Sequence, residues 1–471
     1  MQHLKNLSRI AGAALLAAAV FACGTDDGAV TVPPALGMRV IYIADSADAP
    51  GRFQAYAADT GSTTQQVTKI SRHVDADEVL SDPIMSLDER YLGVRVADAV
   101  GCRARYEFVD TTTGLPMNTL RGNDHCGHRL EFNPAGGNLA LRVTLLGETG
   151  PRLVLADTPD ADTVFSIDTG ITGGTVADYR FSGDGSRIAW AEAGGLFSST
   201  TFTVGSFGQF RSTDTPTAFA VTFDGANAVY VAPGETRFRR TVITPGAALS
   251  ETYLTAAMAI GDTLGDYALS PDGTQLLYVA VIGGDPQLWL VPLAAPLTEQ
   301  RVDSAPFPTA GPSQPKFAWN TDGTRFAWFG DAGGSDFRVY GATLAAPTTA
   351  VVLTPTGQAP YALLAWSNAS TVVYDSYDIG FGLSTLRSVA VGTPLTTVAL
   401  SPVATLAPGV DALVVCGDGT LVYRYTDQPP LMALTMALYR ATALDANSVQ
   451  RITPWHDAPA QGIGDDFTCA Q

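Results

Sequence analysis

The chain has 471 residues, 46% of them hydrophobic and 16% charged, with 47 Gly and 29 Pro. That composition suffices for a large core and excludes both a disordered chain and a coiled coil. Forty-six acidic against 28 basic residues leave a formal charge of −18, a sign that repels phosphate backbones and excludes nucleic acid as a partner.

Lys5 and Arg9 open the chain, and residues 10–21 form an apolar or small run of signal-peptide length, too short for a spanning helix. The run ends in Val20-Phe21-Ala22-Cys23, which resembles a bacterial lipobox, where a small residue precedes the Cys that becomes the acylated start of the mature protein. Phe21 is bulkier than that motif's usual residue. An ordinary secretory signal with an incidental Cys is the plainer alternative, and both export the chain. The expected organisation is a signal peptide over 1–22, an acylated Cys23 with a flexible tether over 23–35, and one folded unit over 36–471. Without Lys5 and Arg9 the balance is 26 basic against 46 acidic residues, or −20. Gly24, at the second mature position, lacks the Asp that resembles an inner-membrane retention signal, so the expected location is the outer membrane, facing the periplasm or the cell surface. The lipid would be the membrane contact.

From residue 36 onward the chain repeats itself. Ser270-Pro271-Asp272-Gly273 leads into TQLLYVAV, and the phrase recurs at Asn320-Thr321-Asp322-Gly323, Ser182-Gly183-Asp184-Gly185, Asp224-Gly225 and Asp418-Gly419. Taking the Asp as reference, the column reads Leu36, Asp88, Ala135, Asp184, Asp224, Asp272, Asp322, Asn368 and Asp418, spaced 40 to 52 residues apart and about 48 on average. That period belongs to propeller blades. Around Asp272, GDYALS, TQLLYVAV, PQLWLVPL and EQRVDS read as four strands separated by Gly, Pro and Asp turns. The Asp-Gly pair closes the first hairpin: Asp bonds its own backbone, and Gly supplies positive φ without steric cost. The expected fold is all-β, a single propeller of four-stranded blades. Nine repeats are counted, with eight as the fallback if the 40-residue step from Asp184 to Asp224 hides a miscount.

The motif at 270–278, with Trp289 or Tyr340 in the third strand, resembles the repeat of the TolB-type propellers over nearly all of 36–471. That resemblance implies the fold and says little about activity. Members of such families include periplasmic partners of envelope complexes and the propeller halves of peptidases. No Gly-x-Ser-x-Gly elbow occurs here, so peptidase chemistry is not implied.

The ends suggest how the ring closes. MRVIYIAD is a second strand with no first strand ahead of it, and Asp466-Phe467-Thr468-Cys469 aligns with Asp266-Tyr267-Ala268-Leu269. The C-terminal strand is therefore expected in the first blade, where it removes an exposed edge. Cys416 falls at the column of Ser270 and Cys469 at that of Leu269. Their opposite parity points the side chains of neighbouring blades toward each other, and an exported protein oxidises such thiols, so a Cys416–Cys469 disulfide is expected. Cys102 and Cys126 read as a second disulfide. The alternative joins Cys102 to His125-Cys126-Gly127-His128 as a zinc cluster.

Six positions before the reference column stand Asp82, Asp178, Asp266 and Asp466. A closed ring puts them around one mouth of the axis, where carboxylates suit a divalent cation such as calcium. The plain reading is that they cap the loops entering each strand. No cofactor beyond such a cation is expected, and the isolated His3, His73 and His456 assemble no triad. Two functions follow. The favoured one is a lipid-anchored, monomeric, non-catalytic scaffold that binds an envelope protein or a glycan; the alternative is a metal-dependent propeller hydrolase with an axial carboxylate site.

Overall fold

The computed structural model describes residues 39–469 apart from 47–48, 60–66, 71–77, 89, 99–103, 111–126, 137, 145–149, 157–163, 167–174, 194, 201–207, 211–214, 217, 244–249, 304–306, 308–316, 334–335, 379–382, 403–408, 428–434, 454–455 and 458–462. Residues 1–35, with Cys23, and Cys102, His125 and Cys126, for which the sequence sets expectations, lie outside the described residues.

Among the described residues every regular element is a strand. The strands form successive antiparallel meanders in chain order, each unit returning on itself through short turns before the next begins. Thr263–Leu269, Gln275–Ile282, Asp285–Pro292 and Gln300–Arg301 make one such sheet. Its second strand, QLLYVAVI, is almost wholly buried although its sequence scarcely alternates. Both faces must therefore be covered, which is the condition of a strand inside a stack of sheets. The fourth strand holds only two residues, shorter than EQRVDS suggests, because an outermost strand has a single neighbour to fix it. This architecture of consecutive antiparallel sheets is that of a β-propeller.

Two departures from uniform four-stranded units occur. The sheet of Glu78–Met85, Tyr91–Asp98 and Ala104–Asp110 has three strands among the described residues. The meanders beginning at Pro360–Asn368 and Gly409–Val415 merge into one nine-stranded sheet through a single parallel contact, Ser384 to Gly409.

The core lies between sheets. Leu153 and Leu155 pack on Trp190 and Phe197 of the next sheet, Leu277 and Leu288 on Phe326 and Trp328, and Val373 and Leu386 on Leu421 and Tyr423. Each fully buried Leu or Phe contributes about 1.5–3 kcal/mol, so stacking face to face, not pairing edge to edge, supplies most of the stabilisation. The same layer joins the two ends of the chain. Val40, Tyr42, Phe467 and Cys469 pack with Cys416, Val422, Leu438 and Ile452. Ile463–Cys469 pairs antiparallel with Arg39–Ser46, Val40 opposite Cys469 and Tyr42 opposite Phe467.

Candidate functional site

The hairpin turns of neighbouring sheets touch and form a belt at one end of the stack. Within each turn the reference Asp works locally. Ser270 Oγ–H donates to Asp272 Oδ1 at 2.5 Å, and the Thr274 N–H donates to the same oxygen at 3.1 Å. Ser86 with Asp88, Ser182 with Asp184 and Thr222 with Asp224 repeat this at 2.6 to 2.7 Å. Asn368 takes over the acceptor role from Ser370 N–H at 2.9 Å, and Ala135 is served by Asn133 Oδ1, also at 2.9 Å. These carboxylates are engaged within their own turns. A hydroxyl or amide two residues ahead of the Asp is the sequence signal that belongs with them. Between sheets, the Asp184 N–H donates to Phe223 O at 2.9 Å and Asn320 Nδ2 to Ala369 O at 2.9 Å. Gly185 has φ +68°, and a Cβ there would lie 2.0 Å from Asn133 Oδ1, so glycine is required twice over, by conformation and by approach.

The members of the acidic column near the starts of the first strands differ in their surroundings. Asp82 is exposed, lies at φ 48°, accepts from Ser81 Oγ at 3.0 Å and is 4.0 Å from Arg95. Asp266 is exposed. Asp466 belongs to Ile463–Cys469, but its side chain is outside the described residues. Asp178 sits between two guanidinium groups, Arg129 at 2.8 Å and Arg180 at 3.0 Å. Among the described residues no three His, Cys, Asp or Glu side chains come together as a metal would need. Neutralisation of Asp178 by arginine supplies a reason, since a cation would have to displace two bound positive charges.

The partner that residue-by-residue reading overlooked is Arg129. It stands six positions before Ala135, in the same column as Asp82 and Asp178. Its second arm donates to Glu131 Oε2 at 2.7 Å, and its guanidinium lies 5.0 Å from the Tyr179 ring centroid. Burial pushes the Glu131 carboxyl above its ordinary value, with Arg129 pulling it back. Tyr267, two sheets further along, has its hydroxyl pushed up to about 12, first by burial and then by the negative charge of Asp178. Arg129, Glu131, Asp178 and Arg180 make a charge-balanced lattice of ion pairs that can present hydrogen-bonding groups. A separate open polar cavity of about 490 Å³ lies on the outer strands Thr435–Thr442 and Asp445–Arg451, lined by Arg440, Asn447, Ser448 and Gln450.

Cys416 and Cys469 form a disulfide with Cα atoms 5.6 Å apart.

No protein-family model matches the chain, and no curated protein sequence matches it. Among solved structures it is similar to the crystal structure of a eukaryotic initiation factor, at 12% identity and TM-score 0.58, over 92% of this chain and 98% of that one. It is also similar to a prolyl endopeptidase at 15% identity and TM-score 0.47, over 81% of this chain and 50% of that one. A putative TolB from Agrobacterium tumefaciens shares 15% identity at TM-score 0.33, over 51% of this chain and 80% of that one. Only the first superposes along nearly both full lengths, and at that identity it speaks to the fold alone.

Proposed function

We propose that this protein is an exported, lipid-anchored propeller that serves as a non-catalytic docking scaffold for another envelope protein or a glycan. The ring in this reading has nine blades and is closed by the C-terminal strand. The observation that carries it is the packing of Val40, Tyr42 and Phe467 onto Val422 and Leu438, together with pairing of Ile463–Cys469 to Arg39–Ser46. A ring fastened in this way is a rigid frame, and rigid frames with loops at both ends suit recognition. The salt-bridged mouth supports binding over chemistry, because Asp178 is engaged by Arg129 and Arg180. Acylation at Cys23 keeps the scaffold at the outer membrane in this reading, and Cys102 with Cys126 forms a second disulfide.

The test is crosslinking in intact cells, followed by recovery of the protein from membranes. Wild type should sediment with membranes carrying a lipid-modified Cys23 and a reproducible crosslinked partner, while Cys23→Ser should be released or remain unprocessed. A wild-type chain that is fully soluble, with an unmodified N-terminus and no partner, would overturn the reading.

A further inference from the structure

Eight large hydrophobic side chains stand exposed among the described residues, and the topology places five of them at one end of their sheets. In an antiparallel meander the first and third turns lie at one end of the sheet and the second at the other. Leu87 and Phe223 occupy first turns, following Glu78–Met85 and Ala218–Val221. Leu297, Leu395 and Leu444 occupy third turns, following Asp285–Pro292, Leu383–Ala390 and Thr435–Thr442. All five therefore belong to the same end of the stack, and they are 40 to 59% exposed.

The three third-turn leucines also adopt φ of 60 to 66°, a region that side-chain-bearing residues seldom enter. Hydrogen bonding explains the backbone: the N–H groups of Leu297 and Leu395 donate to Leu254 O and Leu353 O of the preceding sheet, each at 2.8 Å. Gly or Asn would make the same bond with less strain. The fold thus accounts for the turn and leaves the exposed isobutyl groups without a structural task.

The chain itself indicates what covers them. Arg39 begins a second strand, so the residues before it enter from the first-turn end, the end that bears the leucines. Cys23 lies sixteen residues before Arg39, a distance that a flexible segment spans at about 22 Å root-mean-square. A lipid at Cys23 would hold this end next to the bilayer, while the opposite end would require the tether to pass around the ring. The turn carboxylates at the same end, such as Asp224 and Asp272, are bound by their own hydroxyl and amide partners. Their charge disfavours an anionic surface and tolerates a zwitterionic one.

We infer that Leu87, Phe223, Leu297, Leu395 and Leu444 form a docking face that seats this end of the propeller on a zwitterionic bilayer and turns the other end outward. The inference rests on the anchored reading above.

The experiment places a polarity-sensitive dye on an introduced cysteine at Leu395→Cys or at Ala332→Cys, the latter in a second turn, and wild-type protein labelled in parallel gives the background. The full-length protein is examined on phosphatidylethanolamine–phosphatidylcholine vesicles that contain brominated lipid. Quenching at position 395 should exceed that at 332 by about threefold or more, and Leu297→Ser with Leu444→Ser should diminish it. Equal quenching, or stronger quenching at 332, overturns the inference. Dimerisation abolished by the serine substitutions, without quenching, assigns the face to a second copy and overturns it as well. Membrane fractionation of Cys23→Ser reads the anchor separately. If wild type is soluble, quenching on added vesicles still supports the docking face, and its absence overturns it.

Discussion

Cys416 occupies the turn position that holds Ser86, Ser182, Thr222, Ser270 or Asn320 in other units, and it is bonded to Cys469 on the strand that pairs with Arg39–Ser46. A hydroxyl that elsewhere closes its own turn is thus replaced by a covalent tie to the neighbouring sheet. The bridge spans 53 residues, for which loop-closure entropy gives on the order of 4 kcal/mol before any strain is deducted. Cys469→Ala should free Ile463–Cys469 first, raising its amide exchange while the sheet at 263–301 stays protected. Peptide mapping without reductant checks the bond, and recovery of Cys416 as a free thiol would refute it.

Gly185 and Gly283 separate two roles of glycine. Both have positive φ, +68° and +61°, but a Cβ at 185 would meet Asn133 and Ala135 whereas one at 283 meets nothing within 4 Å. Gly283→Ala should cost about 1 kcal/mol, the conformational penalty alone. Gly185→Ala should cost about 2–4 kcal/mol, because the neighbouring turn must move as well. Urea midpoints of the two variants decide it, and equal losses would mean that the turn belt yields freely.

Asp272 links the turns to pH. Burial opposes its charge, but the Ser270 hydroxyl and the Thr274 amide and hydroxyl outweigh that effect and hold the carboxyl below its ordinary value. A lowered folded value means that its stabilisation is present above the unfolded value of about 3.9 and disappears as pH falls through the folded one. Because the group is largely solvated, Asp272→Ala should cost only about 0.5–1 kcal/mol at pH 7. That difference from wild type should shrink as pH falls below the unfolded value, as measured by thermal unfolding at neutral and acid pH.

Asp375 behaves in the opposite sense. It is buried, and its Oδ1 accepts the N–H groups of Tyr361, Ala362 and Leu363 at 3.3, 2.9 and 2.8 Å, where the pairing register of Pro360–Asn368 shifts. Burial pushes its carboxyl up despite those donors. Asp375→Ala should cost about 3 kcal/mol or more by orphaning the three amides, and Asp375→Asn less. Since a raised folded value loses its stabilising contribution as pH rises through it, wild type should gain on Asp375→Asn toward acid pH. An alanine variant as stable as wild type would show that another acceptor or water replaces the carboxylate.

Local chemistry made the turns readable in the sequence. Asp and Gly at a period of about 48 residues act through bonds to residues two positions away, so the reference column, the strands after it and the all-β class were visible in the string. The parity of Cys416 and Cys469 was visible for the same reason, since side-chain alternation depends only on counting along a strand. The surroundings of the acidic column were not visible in the string, because they depend on the neighbour in space. Asp178 meets Arg129, 49 residues earlier, and inspecting only the carboxylates in that column hid the cation standing in it.

What the sequence by itself determined is therefore the repeating unit: turn, buried strand and outer strands, each stabilised by contacts within about fifty residues. Tertiary structure decided everything that depends on which units become neighbours. It paired Asp178 with Arg129 and Arg180, merged the last two meanders through Ser384 and Gly409, and brought five exposed apolar residues to one end. The physical reason is that turn hydrogen bonds join residues a few positions apart and can be read along the string. Burial between sheets and charge pairing act across distances that the chain order does not record.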